Sequence, residues 1–549
     1  MWTLSALTLT GATVFAFQSS GSAAEPSRAA ARTRKAAGAF TAPLAVDWKF
    51  TSAYFPNNPV MPIYTDGTII FCAGNRIHAV DAQSGAQKWR YPLEGNNLQS
   101  YIISAPTVHN NTLYFGTGDG LYALDVATGK PNHQPYLIRS GVVTSPIISN
   151  DILYIGNGEN NILAFDVRTF RPLEGAWSPG GRPGVPGGDF AGNFLSANSL
   201  LYYVTGDQTL RAVNTSNGSV RWAQRLNANF QRATPILSGD SLYLAVGTTY
   251  CSFRAASGQP RWQITLPADA AADPAVDEEG NSYVGTTDRA IYALDIRGRA
   301  LWKQPAQVEH EIIASPVIAG DYLIVGTALG GVYVFERATG TLKWHYLVKP
   351  SSTNPEFIPS SANVAAPPVV INGSLMVLTD DGTVTTFRND APDNLAPLVT
   401  KLEPEPGDAL NGKLPFHISA RLEDFGSGLN PDTIVLKVDD RTVPRRPGGR
   451  QFSDKPGYTF DPDLGLLDYT MFENESGISR ALARGPHTIS ITVQDWMGNM
   501  TTKSWSFHVD ETLPTRTRRR PPNSNQNPAG GLGPGGLGGG KGAGGGGGS

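Results

Sequence analysis

A tryptophan returns at a nearly constant interval along this chain. Trp48 and Trp89 stand 41 residues apart, and Trp222, Trp262, Trp302 and Trp344 follow at steps of 40, 40 and 42. The gap between Trp89 and Trp222 has room for two more units whose Trp is missing. A fixed period of about forty residues specifies a repeat architecture, in which each unit packs on its neighbours. It also changes how a conspicuous residue is weighed, because residues that recur with the period serve packing before chemistry.

The unit reads most clearly between residues 314 and 346. Ala314-Ser315-Pro316-Val317-Ile318 opens it, and Tyr322 to Thr327 follows a Gly-Asp turn. Val332-Tyr333-Val334-Phe335 comes after Gly330-Gly331, and Leu342 to Tyr346 closes the unit after Thr339-Gly340. These runs are rich in β-branched and aromatic residues, bounded by turn formers, and too short for helices. Four antiparallel strands in about forty residues describe a propeller blade.

The pattern returns eight times, with copy four degenerate at Asn214-Thr215-Ser216-Asn217-Gly218. Copy eight starts at Ala366-Pro367-Pro368 and stops at Thr386-Phe387-Arg388, with no Thr-Gly turn and no Trp strand. The stretch Leu44 to Phe50 is a Trp strand with no blade before it. The two fragments complete one another. The expected fold is therefore all-β: an eight-bladed β-propeller closed by an N-terminal strand, followed by a β-sandwich. Trp48, Trp89, Trp222, Trp262, Trp302 and Trp344 are read as structural pegs on the outer strands. The series lapses at His133 in blade two and near Glu174 in blade three.

The repeated Asp-x-x-Thr-Gly-x-x-x-Trp, with Ala-x-Pro before it, resembles the repeat of pyrroloquinoline-quinone-like propellers. Asp125 to Gly129, Ser84-Gly85 to Trp89 and Thr339-Gly340 to Trp344 carry the likeness, over roughly residues 44–390. That superfamily includes quinoprotein dehydrogenases. It also includes the lipoprotein propeller of the outer-membrane β-barrel assembly machinery, which binds proteins and no quinone. The dehydrogenases imply an adjacent Cys pair and a Trp sandwiching the quinone, with calcium held by Glu, Asn and Asp. Here the only cysteines are Cys72 and Cys251, in repeats one and five. They are placed opposite each other in the ring, too far apart for a disulfide, and read as buried free thiols. No PQQ or calcium cofactor is expected, and an enzymatic role is the weaker reading. The alternative retained is a divergent PQQ-dependent dehydrogenase.

Residues 1–24 read as an export signal lacking its basic start, and 25–43 as disordered. This implies periplasm, cell surface or extracellular space, with no membrane span in the mature chain. Residues 391–397 read as a linker. Residues 398–510 show alternating strands and resemble a bacterial immunoglobulin-like or cadherin-like sandwich through Asp424-Phe425-Gly426-Ser427-Gly428 and Asp495-Trp496-Met497-Gly498-Asn499. Residues 511–549, Arg/Pro-rich and then Gly-rich, have no core-forming composition. A net charge of −3 gives no footprint for nucleic acid. The expected partner is a protein or cell-envelope polymer, bound by a monomeric chain.

Loops leading into the innermost strands surround one mouth of a propeller. Here they hold Gln99, Tyr101, Arg139, Asp189, Asn193, Gln231, Arg232, Asp273, His310 and Glu311, a mixed-charge set of the kind ligand sites use. Any one of them taken singly reads better as an ordinary rim residue. The Gly/Pro-rich insertion 178–189 either overhangs that mouth or replaces a degraded Trp strand. No His/Cys/Asp cluster has metal-ligand spacing. Asp424 and Asp495 are weak metal candidates, since two carboxylates are too few for calcium and turn formation explains both.

Overall fold

The computed structural model describes residues 40–52, 60–73, 75–93, 98, 100–102, 104–173, 189–226, 233–349, 362–364, 366–446, 457–471 and 482–514. The segment read as an export signal, the Gly-rich tail and most of the Gly/Pro insertion lie outside these residues. Between Ala45 and Arg388 the strands form eight four-stranded antiparallel sheets. In seven sheets the strands follow chain order. Blade seven, for example, runs Val317–Ala319, Tyr322–Gly326, Gly331–Glu336 and Leu342–Leu347. Second strands such as Leu200–Thr205 and Ser241–Val246 are buried along their whole length. Both their faces pack on neighbouring sheets, which is why they carry apolar runs in place of strict alternation.

The eighth sheet is composite. Ala45–Thr51 lies antiparallel to Thr383–Arg388, with Ala45 opposite Arg388 and Thr51 opposite Thr383. The N-terminal segment thus supplies the outer strand of the last blade. Closure spends no extra chain and leaves no half-finished blade.

The tryptophans join blade to blade. The indole Nε1 of Trp48 donates to Ala82 O (3.2 Å), Trp89 to Val126 O (2.8 Å) and Trp222 to Ala255 O (3.0 Å). Trp262 donates to Ile296 O (2.7 Å), and Trp302 to Arg337 O (2.9 Å). Each acceptor belongs to the turn of the following blade. The glycine of that turn lies against the indole face: a methyl group at Gly129 would sit 2.4 Å from the Trp89 ring, and one at Gly258 2.5 Å from Trp222. These glycines also have positive φ, +68° at Gly129 and +71° at Gly258, which side chains tolerate poorly. Trp302 differs in placement. It precedes the short outer strand Ala306–Gln307 and does not lie on it. Pro305 intervenes and cannot donate to a ladder there.

The lapse at His133 is compensated inside the same chain. The next turn carries Phe170 where other blades have glycine, at φ +53°. The Phe170 ring stacks on His133, with centroids 5.2 Å apart and planes 17° from parallel. A large ring on the turn and a smaller one on the strand replace glycine on indole.

Cys72 and Cys251 are buried and free. Burial raises both thiols above their ordinary range, Cys251 to about 12. They are inert as nucleophiles at neutral pH.

Beyond the propeller, two sheets form a sandwich. One holds Leu398–Glu403, Phe416–Glu423, Leu466–Met471 and Thr459–Asp461. The other holds Ala409–Leu410, Met500–Val509, Gly485–Asp495, Leu429–Val438 and Arg441–Val443. Phe416–Glu423 alternates buried and half-buried residues throughout, the period-two signature of a sheet with one face in the core. Ile418, Leu436, Ile491, Trp505 and Phe507 meet in that core.

Deleting residues 44–50 is expected to lower the propeller's melting temperature in one cooperative transition, as followed by calorimetry; an unchanged melting curve would refute closure by this strand. A second expectation concerns the exchanged pair. His133→Trp and Phe170→Gly should each destabilise the protein alone. The double variant should recover part of the loss, with a coupling of at least about 1 kcal/mol in denaturant titrations. Simple additivity would show that the two rings are independent.

Candidate functional site at the seam of propeller and sandwich

The expected rim residues divide into groups. Gln99, Gln231 and Arg232 lie outside the described residues. Tyr101, Arg139, Asp189 and Glu311 are exposed. The main chain of three of them is structural: Tyr101 O accepts from Gly118 N, Asp189 O from Gly206 N and Glu311 O from Ala328 N. Asn193 and Asp273 belong to a stitched arc that runs from blade two to blade six. Ala105 N donates to Ser145 Oγ, Ser145 N to Asn193 Oδ1, Asn193 N to Thr234 Oγ1 and Thr234 N to Asp273 Oδ1, at 2.8–3.3 Å. Each bond crosses from one blade to the next, so these two side chains hold the inner strands in register.

His310 reaches a different partner. Its Nε2 lies 3.5 Å from Asp461 Oδ2, which belongs to the sandwich. Asp461 raises the His310 pKa above its ordinary value against the opposing effect of burial. The contact marks a seam along blade seven that sequence reasoning missed.

The seam is built from two repairs. In blade two, Thr117 bonds Asp119 in the turn between the second and third strands. Thr205 bonds Asp207 at 2.6 Å in blade four, and Thr379 bonds Asp381 at 2.6 Å in blade eight. A third-strand side chain joins in: Arg211 donates to Asp207 (2.6 Å), and Tyr122 lies within reach of Asp119 (3.3 Å). Blade seven has Leu329 where this aspartate belongs. The sandwich supplies the carboxylate instead. Asp463 accepts from Tyr333 Oη (2.8 Å) and Thr327 Oγ1 (3.4 Å), and it pairs with His345 Nε2 (2.8 Å). Asp461 shapes the turn that presents it, accepting from Asp463 N and Leu464 N. Asp463 and His345 are almost fully buried.

The second repair replaces the missing turn of blade eight. Trp344 has no Asp-x-x-Thr-Gly turn to dock on, and its Nε1 donates to Ser427 O of the sandwich at 2.7 Å. Tyr346 Oη donates to Phe425 O, Val46 N to Gly426 O, and Trp496 Nε1 to His345 O. The Asp-Phe-Gly-Ser-Gly loop therefore occupies the place a blade turn would take.

Beside these contacts lies a cavity of about 580 Å³. Leu329, Leu347 and Leu464 give it an apolar floor, and Lys349, Lys401 and Arg421 bring positive charge to its walls. Lys349 bonds Glu423, and Arg421 Nε lies 3.0 Å from the same carboxylate. Burial would push Glu423 up, but the two cations outweigh it and hold its pKa below the usual value. Burial also lowers the Lys349 pKa, with Glu423 opposing. Glu403 and Asp463 also line the cavity, so with Glu423 beside it the pocket carries both signs of charge around an apolar floor, the mixture that ligand sites use.

A family model described as outer membrane protein assembly factor BamB matches residues 5–174 and 206–403, about two thirds of the chain. The chain belongs to this family. The BamB of Burkholderia pseudomallei is 32% identical over 115 residues, covering 21% of this chain and 29% of that one. The BamB of Yersinia pestis is 23% identical over 344 residues, covering 58% and 82%. The chain spans between 27% and 44% of the length of the first curated relatives it matches. Among solved structures, a computationally designed protein, Ika8, superposes with a TM-score of 0.50 at 15% identity, over 62% of this chain and 98% of that one. This likeness shows the fold alone. Among the described residues no helix is long and apolar enough to cross a membrane.

Asp463→Ala would leave Tyr333 and His345 buried without their acceptor. We expect a loss of about 3–5 kcal/mol in chemical denaturation and faster proteolysis between the domains. A variant within about 0.5 kcal/mol of the parent, the range of ordinary surface changes, would show that the seam does not depend on this carboxylate.

Proposed function

We propose that the protein is an exported, non-enzymatic scaffold that binds a protein or cell-envelope partner. In this reading residues 44–390 form the propeller, 391–397 the linker and 398–510 an immunoglobulin-like sandwich, with an export signal before them and a tail after. The observation that carries it is the seam. Two domains are locked by buried pairs, and an amphipathic pocket lies at their junction, where neither domain alone would form it. Membership of the BamB family supports the same reading, since its relatives are named as assembly factors.

The residues do not fit a quinone cofactor. Cys72 and Cys251 lie in separate hydrophobic clusters, one in blade one and one in blade five. Five of the repeat tryptophans are committed to carbonyls of the next blade, and the sixth, Trp344, to Ser427 O of the sandwich.

The test is cross-linking of the tagged full-length chain in its native envelope, followed by identification of the captured partner. Charge reversal at the exposed Lys401, Lys401→Glu, is expected to reduce capture at least tenfold without changing the melting temperature. Unaltered capture would move the binding surface away from the pocket. Dye-linked alcohol oxidation by the purified protein supplied with the quinone and calcium would overturn the scaffold reading altogether.

A further inference from the structure

Three carboxylates converge where linker, sandwich and propeller meet. Asp393 lies between the last propeller strand, Thr383–Arg388, and the first sandwich strand, Leu398–Glu403. Asp424 begins the loop after Phe416–Glu423, and Asp495 ends Gly485–Asp495. One ligand oxygen from each lies within 4.8 Å of the other two. Asp424 and Asp495 are 7% and 2% exposed, and Asp393 is half-buried.

The partners given to these groups are neutral. Asp424 Oδ2 accepts from Gly426 N (3.0 Å) and Gly428 N (2.7 Å). Asp393 accepts from Ser427 N (2.7 Å) and Leu395 N (3.0 Å). Asp495 accepts from Asn499 N and Nδ2, both at 2.8 Å. Turn formation, the reading the sequence favoured, accounts for the five local bonds but not for Ser427 N to Asp393, which joins residues 34 apart. Nor does it account for Asp424 Oδ1, which is buried, has no hydrogen-bond partner among the described residues and belongs to a carboxylate facing two others. Buried polar atoms are rarely left in that condition. Nor does it account for the third carboxylate, which the linker brings in from 31 residues away. Gly426 permits that approach: a methyl group there would lie 2.0 Å from Asp393 Oδ1.

The donor set is oxygen only, anionic and partly buried. Soft transition metals prefer sulfur and nitrogen, whereas calcium takes six to eight oxygens at variable geometry and completes its shell with water.

We propose that Asp393, Asp424 and Asp495 form a site for one calcium ion, which ties the linker to the loop that grips the propeller. Phe425, Gly426 and Ser427, whose carbonyls receive Tyr346, Val46 and Trp344, lie immediately beside Asp424. The ion therefore braces the docking loop itself. It is separate from the calcium that quinoproteins keep beside their cofactor.

Terbium is a luminescent stand-in for calcium, and Trp496 follows Asp495 directly. Full-length protein stripped with chelator should show terbium emission on tryptophan excitation, displaced by calcium with a stoichiometry of one per chain. Calcium should raise the melting temperature of the parent. Asp424→Asn and, as a milder change on the half-buried member, Asp393→Asn should each weaken calcium binding at least tenfold and abolish that rise, with unchanged circular dichroism in chelator. Folded parent protein that binds no calcium at millimolar concentration would overturn the proposal. So would binding that both variants retain.

Discussion

The bond from an indole N–H to the next unit's turn carbonyl, with a glycine flat against the ring, is the interaction on which the whole structure depends. It is worth only about 1 kcal/mol net on its own. It recurs from blade to blade, however, and each instance fixes the angle at which one sheet meets the next. The arc of bonds through Ser145, Asn193, Thr234 and Asp273 does the same beside the first strands of blades two to six. Stability in such an array is a sum over neighbours, so a gap at any interface is felt by the units on both sides.

Seen this way, the sandwich completes the ring as well as extending the chain. Blade eight ends without a turn for Trp344, and Ser427 supplies the carbonyl. Blade seven lacks the turn aspartate, and Asp463 supplies the carboxylate. The two repairs fall on the same blade, which explains why the second domain docks there. Removing a partner from a buried, hydrogen-bonded pair costs more than the pair contributes in isolation. The propeller of this chain is therefore committed to its sandwich.

That commitment has a functional consequence. A flexible second module would search independently for its target, whereas a docked one presents a single composite surface. Lys401 and Arg421 from the sandwich face Leu329 and Lys349 from the propeller across one cavity. The arrangement has the rigidity a binding platform needs, because the residues that position it are buried polar pairs and not surface contacts.

The fold was largely legible from the sequence, because repetition averages out the ambiguity of any single strand. Period, strand count, closure by Trp48 and the two isolated thiols all follow from patterns that recur or conspicuously fail to. The candidate site was less legible. His310 was singled out, but its partner Asp461 was not. Leu329, breaking the Thr-x-Asp pattern of Thr205 to Asp207 and Thr379 to Asp381, was a signal that the period alone made available. The exchange of Trp and Gly for His133 and Phe170 was another. What only the tertiary structure decided is where Asp463, Ser427 and Asp393 go. Each lies in a non-repeating segment, more than eighty residues from its blade-seven partner or gathered from three separate loops. Local pattern carries no information about such distant pairings; they are set by how two finished domains dock.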